Sequence, residues 1–211
     1  VMLANSLNRF FRRLFPVPEF LATSSFGLDI SDESLRFIKL VNTRDGIKVS
    51  RCGERNIPPG IIESGKIKDS KRLEEILLSL QKEEGLNSVH VSLPEEQVYL
   101  FKFHLEKTGL VNIRESVEFA LEEHVPISAQ DAVFDYEVLE ENAQNFELQV
   151  AAIPKNIIES YLAIFEHSQI SVPSLELEAQ AISRAVVKKD DLETYMIVDF
   201  GEKRTGIFIV S

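Results

Sequence analysis

Two short segments, one near each end of the chain, repeat a single grammar. The first reads Phe26-Gly27-Leu28-Asp29-Ile30-Ser31-Asp32-Glu33-Ser34-Leu35-Arg36. The second reads Met196-Ile197-Val198-Asp199-Phe200-Gly201-Glu202-Lys203-Arg204-Thr205-Gly206. Each is an apolar run that carries an aspartate, then a polar turn, then a second apolar run, which is the pattern of a strand–turn–strand hairpin. One such segment is only a turn signal, because any tight turn favours Asp, Gly and Ser. Two with the same form, separated by a mixed helix–strand region, restrict the architecture far more.

The region between them can be read element by element. Residues 26–31 and 34–42 form the first strand pair, and Ile47 to Ile57 a third run after the turn Arg44-Asp45-Gly46. Pro58-Pro59-Gly60 interrupts it. Leu73, Ile76, Leu77 and Leu80 recur at helical spacing, with Asp69 or Ser70 as N-cap and Gly85 as stop. Val89, Val91 and Leu93 then alternate with polar residues as a strand closed by Pro94. Strand, crossover helix and strand make an α/β layer.

A smaller unit follows. Val98 to Leu105 is an aromatic-rich strand. Asn112 with Glu115 opens a helix that Pro126 ends. Val133 to Leu139 and Phe146 to Ile153 are strands around a polar turn, and Pro154 opens a helix with Ile157, Ile158, Tyr161, Leu162 and Phe165 on one face. Leu175 to Val187 is a helical or strand-to-helix segment before the charged boundary Lys188-Lys189-Asp190-Asp191.

Charge excludes one class of partner. With 23 Lys and Arg against 34 Asp and Glu, the 211-residue chain carries a net charge of −11, so nucleic acid is not the expected ligand. The single cysteine, Cys52, excludes an intrachain disulfide, and its place in an apolar strand favours a packed side chain over a reactive thiol. No run reaches the ~20 apolar residues of a membrane span, and no secretory signal is evident. Residues 1–18 are locally basic, with Arg9, Arg12 and Arg13 set among Leu7, Phe10, Phe11, Leu14 and Phe15. Such an amphipathic segment suits an anionic membrane surface or an apolar groove of its own protein.

The chemistry of the hairpins follows from what phosphate groups need: backbone N–H donors at close range and a divalent cation. Asp29 and Asp199 stand at strand ends where they can hold that cation through water. Ser34 and Thr205 can donate to phosphate oxygens.

Several segments together resemble a known family. Besides the hairpins, they are Ile57-Pro58-Pro59-Gly60-Ile61-Ile62-Glu63-Ser64-Gly65-Lys66-Ile67-Lys68-Asp69, Glu122-Glu123-His124-Val125-Pro126-Ile127, Phe134-Asp135-Tyr136-Glu137-Val138-Leu139 and Val150-Ala151-Ala152-Ile153-Pro154-Lys155. In these the chain resembles the PilM family of type IV pilus assembly proteins, relatives of FtsA and actin. The resemblance implies an α/β fold: an actin-like (ribonuclease H-like) first lobe with an inserted small α+β subdomain, plus the first hairpin of a second lobe. The corresponding divisions are a basic amphipathic tail over 1–24, the first-lobe subdomain over 25–95, the insert over 96–171, a return helix over 172–192 and the start of the second lobe over 193–211.

The same resemblance implies ATP and magnesium between two lobes. Ser31, Ser34, Arg36, Gly201 and Thr205 would bind phosphate, and Asp29 and Asp199 would hold the metal through water. It implies a cytoplasmic protein at the inner membrane. Such a protein docks the N-terminal tail of a PilN-like bitopic membrane protein and meets other pilus inner-membrane components. Peripheral membrane contact and homo-oligomerisation stay open, and any ATPase activity is expected to be slow. The family's second lobe is expected beyond the second hairpin, so the chain reads as a fragment or a truncated protein.

Two turns depart from the family's pattern. Asp32 and Glu33 stand where small hydroxyl residues are usual. At ~5 Å and an effective dielectric near 20, one like-charge contact with phosphate costs about 3 kcal/mol before screening. Arg36 stands for the family's lysine, and Lys203 with Arg204 favour anions in the second turn. The remaining candidates are weaker. The four histidines lack metal-ligand spacing, and the acidic pairs Glu74-Glu75, Glu83-Glu84, Glu122-Glu123 and Glu140-Glu141 read as solvated faces. Tyr99, Phe101 and Phe103 read as core, with a partner groove as the second option. An FtsA-like filament protein is the alternative assignment, and a sugar kinase of the same fold is disfavoured by the lack of a sugar-binding signature.

Overall fold

A computed structural model describes residues 25–107, 112–188, 191, 193–201 and 204–210. The basic amphipathic tail expected at 1–24 and the side chain of Lys203 lie outside these residues. The chain opens with a meander of β1 (Phe26–Ile30), β2 (Ser34–Thr43) and β3 (Gly46–Asn56). Phe26, Leu28 and Ile30 alternate into the core while Gly27 and Asp29 face the other way, the period-2 pattern of a pleated strand. Short turns keep both meander pairs antiparallel.

The short hairpin β4 (Ile62–Glu63) and β5 (Lys66–Ile67) then leads to helix α1 (Ser70–Glu84). Asp69 caps α1 by accepting from the Arg72 N–H at 3.1 Å, and Gly85 ends it in the left-handed conformation at φ 73°. Leu73, Leu77 and Leu80 are buried. The crossover through α1 returns the chain as β6 (Ser88–Leu93), parallel to β1. Glu83 pairs with Arg55, and Arg51 pairs with Glu84 at 3.3 Å. These two acids, expected as a solvated face, therefore fasten the end of α1 to β3.

A single 3₁₀ turn, Glu95–Gln97, carries the chain into the smaller unit. Its strands are β7 (Tyr99–Glu106), β8 (Ala132–Glu141) and β9 (Asn145–Pro154), in the order β7-β9-β8. Helix α2 (Ile113–His124) packs on one face, where Val117 and Leu121 meet Leu148, Val150 and Ala152. Tyr99, Phe101 and Phe103 pack against this cluster, so the core reading of the aromatic strand holds. His124 stacks on Phe101 with ring centroids 4.5 Å apart, a packing role.

Helix α3 (Lys155–His167) follows β9 directly. The sequence placed it with the insert, but Ile157, Tyr161, Ile164 and Phe165 join the main core beside α1. Leu162, expected on its apolar face, is exposed, and Ile164 is buried in its place. At 100° per residue Leu162 lies well away from the stripe that Ile157, Tyr161 and Ile164 define. Strand β10 (Ser171–Leu177) then pairs parallel with β6, and helix α4 (Glu178–Val186) starts at the next residue. The main sheet is β10-β6-β1-β2-β3.

The second hairpin is β11 (Tyr195–Phe200) and β12 (Thr205–Val210), an antiparallel pair of its own. Cys52, expected as a packed side chain, is exposed. It lies on the edge strand β3 opposite Ile38, itself 40% exposed, on the face turned away from the core.

Candidate functional site

Asp29 is the last outward-facing residue of β1. It lies opposite Arg36 on β2 and opposite Ser92 on β6. Burial raises its carboxyl above the usual range. Arg36, a hydrogen bond from Ser92 and Arg204 pull it back, and Asp199 pushes it up. The two hairpins therefore do meet. Asp29, Ser31, Ser34, Arg36, Asp199 and Gly201 all line one cleft of about 530 Å³. Thr205 does not line it. It pairs with Phe200 at the start of β12 and is exposed.

The first turn is held from within. The Ser31 N–H donates to the Ser34 carbonyl at 3.0 Å. The Ser31 hydroxyl oxygen accepts from the Ser34 N–H at 3.1 Å and from the Glu33 N–H at 3.3 Å. Three backbone donors are thus already engaged, and Ser34 is only 3% exposed.

Asp32 does not crowd the turn in the way expected. Its carboxylate accepts from the Ser64 N–H at 2.7 Å and from the Gly65 N–H at 3.0 Å. Ser64 and Gly65 both have positive φ, 50° and 71°. The tight β4–β5 turn aims both N–H groups to one side as an anion-binding concavity, and Asp32 fills it. A charge held this way repels a neighbouring phosphate less than a free one. Glu33 lines the cleft.

The cationic side chains are also partnered. Arg36 donates through Nε to Glu54 at 2.8 Å. That hydrogen bond, aided by the Ser34 hydroxyl, holds the Glu54 carboxyl below its usual range. Arg204 is clasped by Glu96 on one arm and by Glu178 at 2.6 Å on the other. Arg204, expected to favour anions, is therefore already paired with two carboxylates. Burial pushes Glu178 up to about 7 against the pull of Arg204, with Asp29, Asp199 and Glu95 adding to the rise. The Arg204 carbonyl accepts from the Gly201 N–H at 2.8 Å, which closes the second turn. A Cβ at Gly201 would sit 3.0 Å from that oxygen, a tight contact that favours glycine there.

Six carboxylates (Asp29, Asp32, Glu33, Glu54, Glu178, Asp199) and two guanidiniums (Arg36, Arg204) line the cleft. This surplus of negative charge fits a divalent cation and disfavours a bare phosphate. Among the described residues no three His, Cys, Asp or Glu side chains are placed to ligate an ion directly. Asp29 and Asp199 line the cleft from opposite hairpins, as the expected water-mediated hold on an ion requires.

Glu54, Glu96 and Glu178 were not found by sequence reasoning. Nothing local marks them: Glu54 on β3 and Glu178 at the start of α4 line the cleft, and Glu96 in the 3₁₀ turn holds Arg204, only once distant elements are placed. Only the pairing of β10 with β6 brings Glu178 there.

A second concavity lies between the two sheets. It encloses about 690 Å³ and is lined in part by Leu93, Val98, Val133, Ala151, Ile153 and Leu175. Strand β8 is an edge of the three-stranded sheet and β10 an edge of the five-stranded one. Both edges contribute lining residues.

The family model for type IV pilus assembly protein PilM matches residues 27–211. A solved PilM–PilN type IV pilus biogenesis complex aligns with a TM-score of 0.77 at 17% identity, covering 89% of this chain and 58% of that one. The chain thus spans less than two thirds of that protein, and the alignment shows the fold. The cytoplasmic domain of EpsL, an inner membrane component of the type II secretion system of Vibrio cholerae, gives a TM-score of 0.48 at 12% identity. It covers 72% of this chain and 57% of that one. The ethanolamine utilization protein EutJ from Carboxydothermus hydrogenoformans gives 0.47 at 14% identity, covering 91% and 48%. No curated protein matches the sequence. The expected α/β fold is borne out, and it is the fold of the solved PilM.

Proposed function

The chain belongs to the type IV pilus assembly protein PilM family, and from that premise we propose that it docks the N-terminal tail of a PilN-like bitopic membrane protein at the cytoplasmic face of the inner membrane. The observation that carries this reading is the groove between the two sheets. It is apolar at Leu93, Val98, Val133, Ala151, Ile153 and Leu175, and it runs between two sheet edges. Edge strands offer unpaired backbone groups to an extended segment, and apolar walls select its side chains. Among the described residues no helix is long and apolar enough to cross a membrane, which suits a protein that reaches the membrane through a partner.

The cleft between the hairpins is proposed to take ATP with magnesium. Asp29 and Asp199 would hold the hydrated ion, which neutralises phosphate charge there. Arg36 would meet the phosphates in competition with Glu54, and Gly201 would let the backbone approach them. Thr205 lies outside the lining and is left out of this assignment. Docking is tested by titrating a labelled peptide of the partner's N-terminal tail. Micromolar binding that Val133→Glu abolishes supports it, and equal binding to both proteins refutes it.

A further inference from the structure

Strand β1 pairs with β2 only as far as Ile38. Beyond that point β2 and β3 pair with each other and, among the described residues, with no other strand, up to the turn between Thr43 and Gly46. Residues 39–43 of β2 span about 16 Å at the rise of a strand. Every residue from Leu40 to Cys52 is exposed. Leu40, Ile47 and Val49 are 52%, 69% and 56% exposed. A contiguous apolar stripe left in water marks an interaction surface.

The ribbon has two unlike faces. Residues directly opposite each other share a face. Ile38 stands opposite Cys52, Leu40 opposite Val49, and Asn42 opposite Ile47, which makes one apolar face. Plain alternation on β3 would have put Ser50 and Lys48 there. A bulge leaves Ser50 unpaired, so Val49 and Ile47 take those places. The other face carries Lys48, opposite Val41, and Lys39, whose ammonium lies 4.9 Å from the Phe26 ring centre. Arg44 stands in the turn. Residues 34–56 hold six Lys and Arg against two acids, in a chain of net charge −11. At the base, Arg36, Arg51 and Arg55 pair with Glu54, Glu84 and Glu83. At the tip the acid is Asp45, and Lys48 holds it at 3.0 Å.

We propose that the tip of the β2–β3 ribbon is a membrane contact: its apolar face lies in the headgroup region of an anionic lipid surface, and Arg44 and Lys48 meet the lipid phosphates. Charge and shape single out this occupant. An anionic surface attracts the basic tip and repels the acidic remainder of the chain, so the tip is the part that approaches it. A second copy would set the same cations against like charge. A protruding ribbon has no walls to seat a peptide, and a planar interface needs none. Long cationic side chains reach headgroups while their apolar neighbours sink below them. Strand β1 starts at Phe26, at this same end of the sheet, so the basic segment with Arg9, Arg12 and Arg13 joins the molecule here too. Asp29 and Ser31 lie at the other end of β1, so a chain held by the tip turns its cleft away from the bilayer. The contact depends neither on the peptide groove nor on a ligand in the cleft.

The test uses the 211-residue chain with Ile47→Trp, a unique reporter because the chain has no tryptophan. Vesicles of phosphatidylcholine, with and without phosphatidylglycerol, are titrated at low salt. The expected result on anionic vesicles is a blue shift of the tryptophan emission and its quenching by brominated lipid. Binding to the neutral vesicles should be about fivefold or more weaker. Arg44→Glu with Lys48→Glu, added to the reporter chain, should weaken anionic binding about as much. Arg12→Glu with Arg13→Glu should leave the blue shift of the bound protein in place. The hairpin changes fall at exposed positions, and thermal melts check that the fold stands. Vesicle binding with the tryptophan still in water assigns the contact to the 1–18 segment and overturns the proposal, as does a chain that binds no vesicle. A blue shift that grows with protein concentration before lipid is added assigns the stripe to a second copy and overturns it as well.

Discussion

The carboxylate of Asp32 sits in a nest made by the N–H groups of Ser64 and Gly65, at 2.7 and 3.0 Å. The first turn is thereby pinned to a loop 32 residues further along the chain. A residue that seemed to burden the phosphate turn instead anchors it.

Removing that anchor should cost stability. Asp32→Ala leaves the N–H of buried Gly65 without its acceptor, a loss worth about 1–3 kcal/mol, while the exposed Ser64 N–H turns to water. The expected outcome is a lower midpoint in urea with an unchanged slope. Asp32→Asn, which keeps one acceptor oxygen, should fall between the variant and the parent.

The cleft carboxylates should matter for the ion more than for the fold. Asp29→Asn and Asp199→Asn are expected to weaken magnesium-dependent ATP binding by tenfold or more, on the order of the 1.4 kcal/mol that a factor of ten represents. Fluorescent ATP titrated with and without magnesium reads this directly. The Asn variants should show little remaining magnesium dependence.

Glu178 gives a pH dependence with a definite sign. Its folded-state pKa, about 7, lies above its ordinary value of 4.5. Between those values the folded state holds more protons than the unfolded one, so this group's contribution is fully present below 4.5 and is lost as pH rises through 7. Glu178→Gln should flatten this part of the stability profile between pH 5 and 8, as thermal melts across that range would show. A profile identical to the parent's would remove Glu178 as the cause.

The buried stripe of α1 offers a control for the fold. Leu77→Ala opens a cavity between α1 and the main sheet, where Leu77 is 1% exposed, and should cost about 2–5 kcal/mol. Chemical denaturation measures it, and the secondary structure should survive.

Local signals in the sequence were legible because local contacts satisfy them. Asp69 caps the helix that begins one residue later, and Gly85 ends it with its own backbone. The hairpins were legible as strands for the same reason. What stayed hidden depends on partners distant in the chain. Asp32 read as an obstacle because its acceptor role needs Ser64 and Gly65. The pairing of Arg204 was not legible because Glu96 and Glu178 come from two other elements. Helix α3 read as part of the insert because it follows β9 without a break, yet its apolar stripe matches the main core. Side chains reveal which surface they will cover only once the sheets are placed.

Tyr161 carries a practical consequence. Its buried hydroxyl donates to the Gly65 carbonyl at 3.1 Å, and burial lifts its pKa above the ordinary tyrosine range, with Asp32 and Glu96 reinforcing the rise. The chain contains four tyrosines and no tryptophan. An alkaline ultraviolet titration should therefore leave one phenol silent for as long as the loop that holds Asp32 keeps its shape. The protein thus contains its own optical gauge, with no label needed, of whether the first turn is still tied to the core.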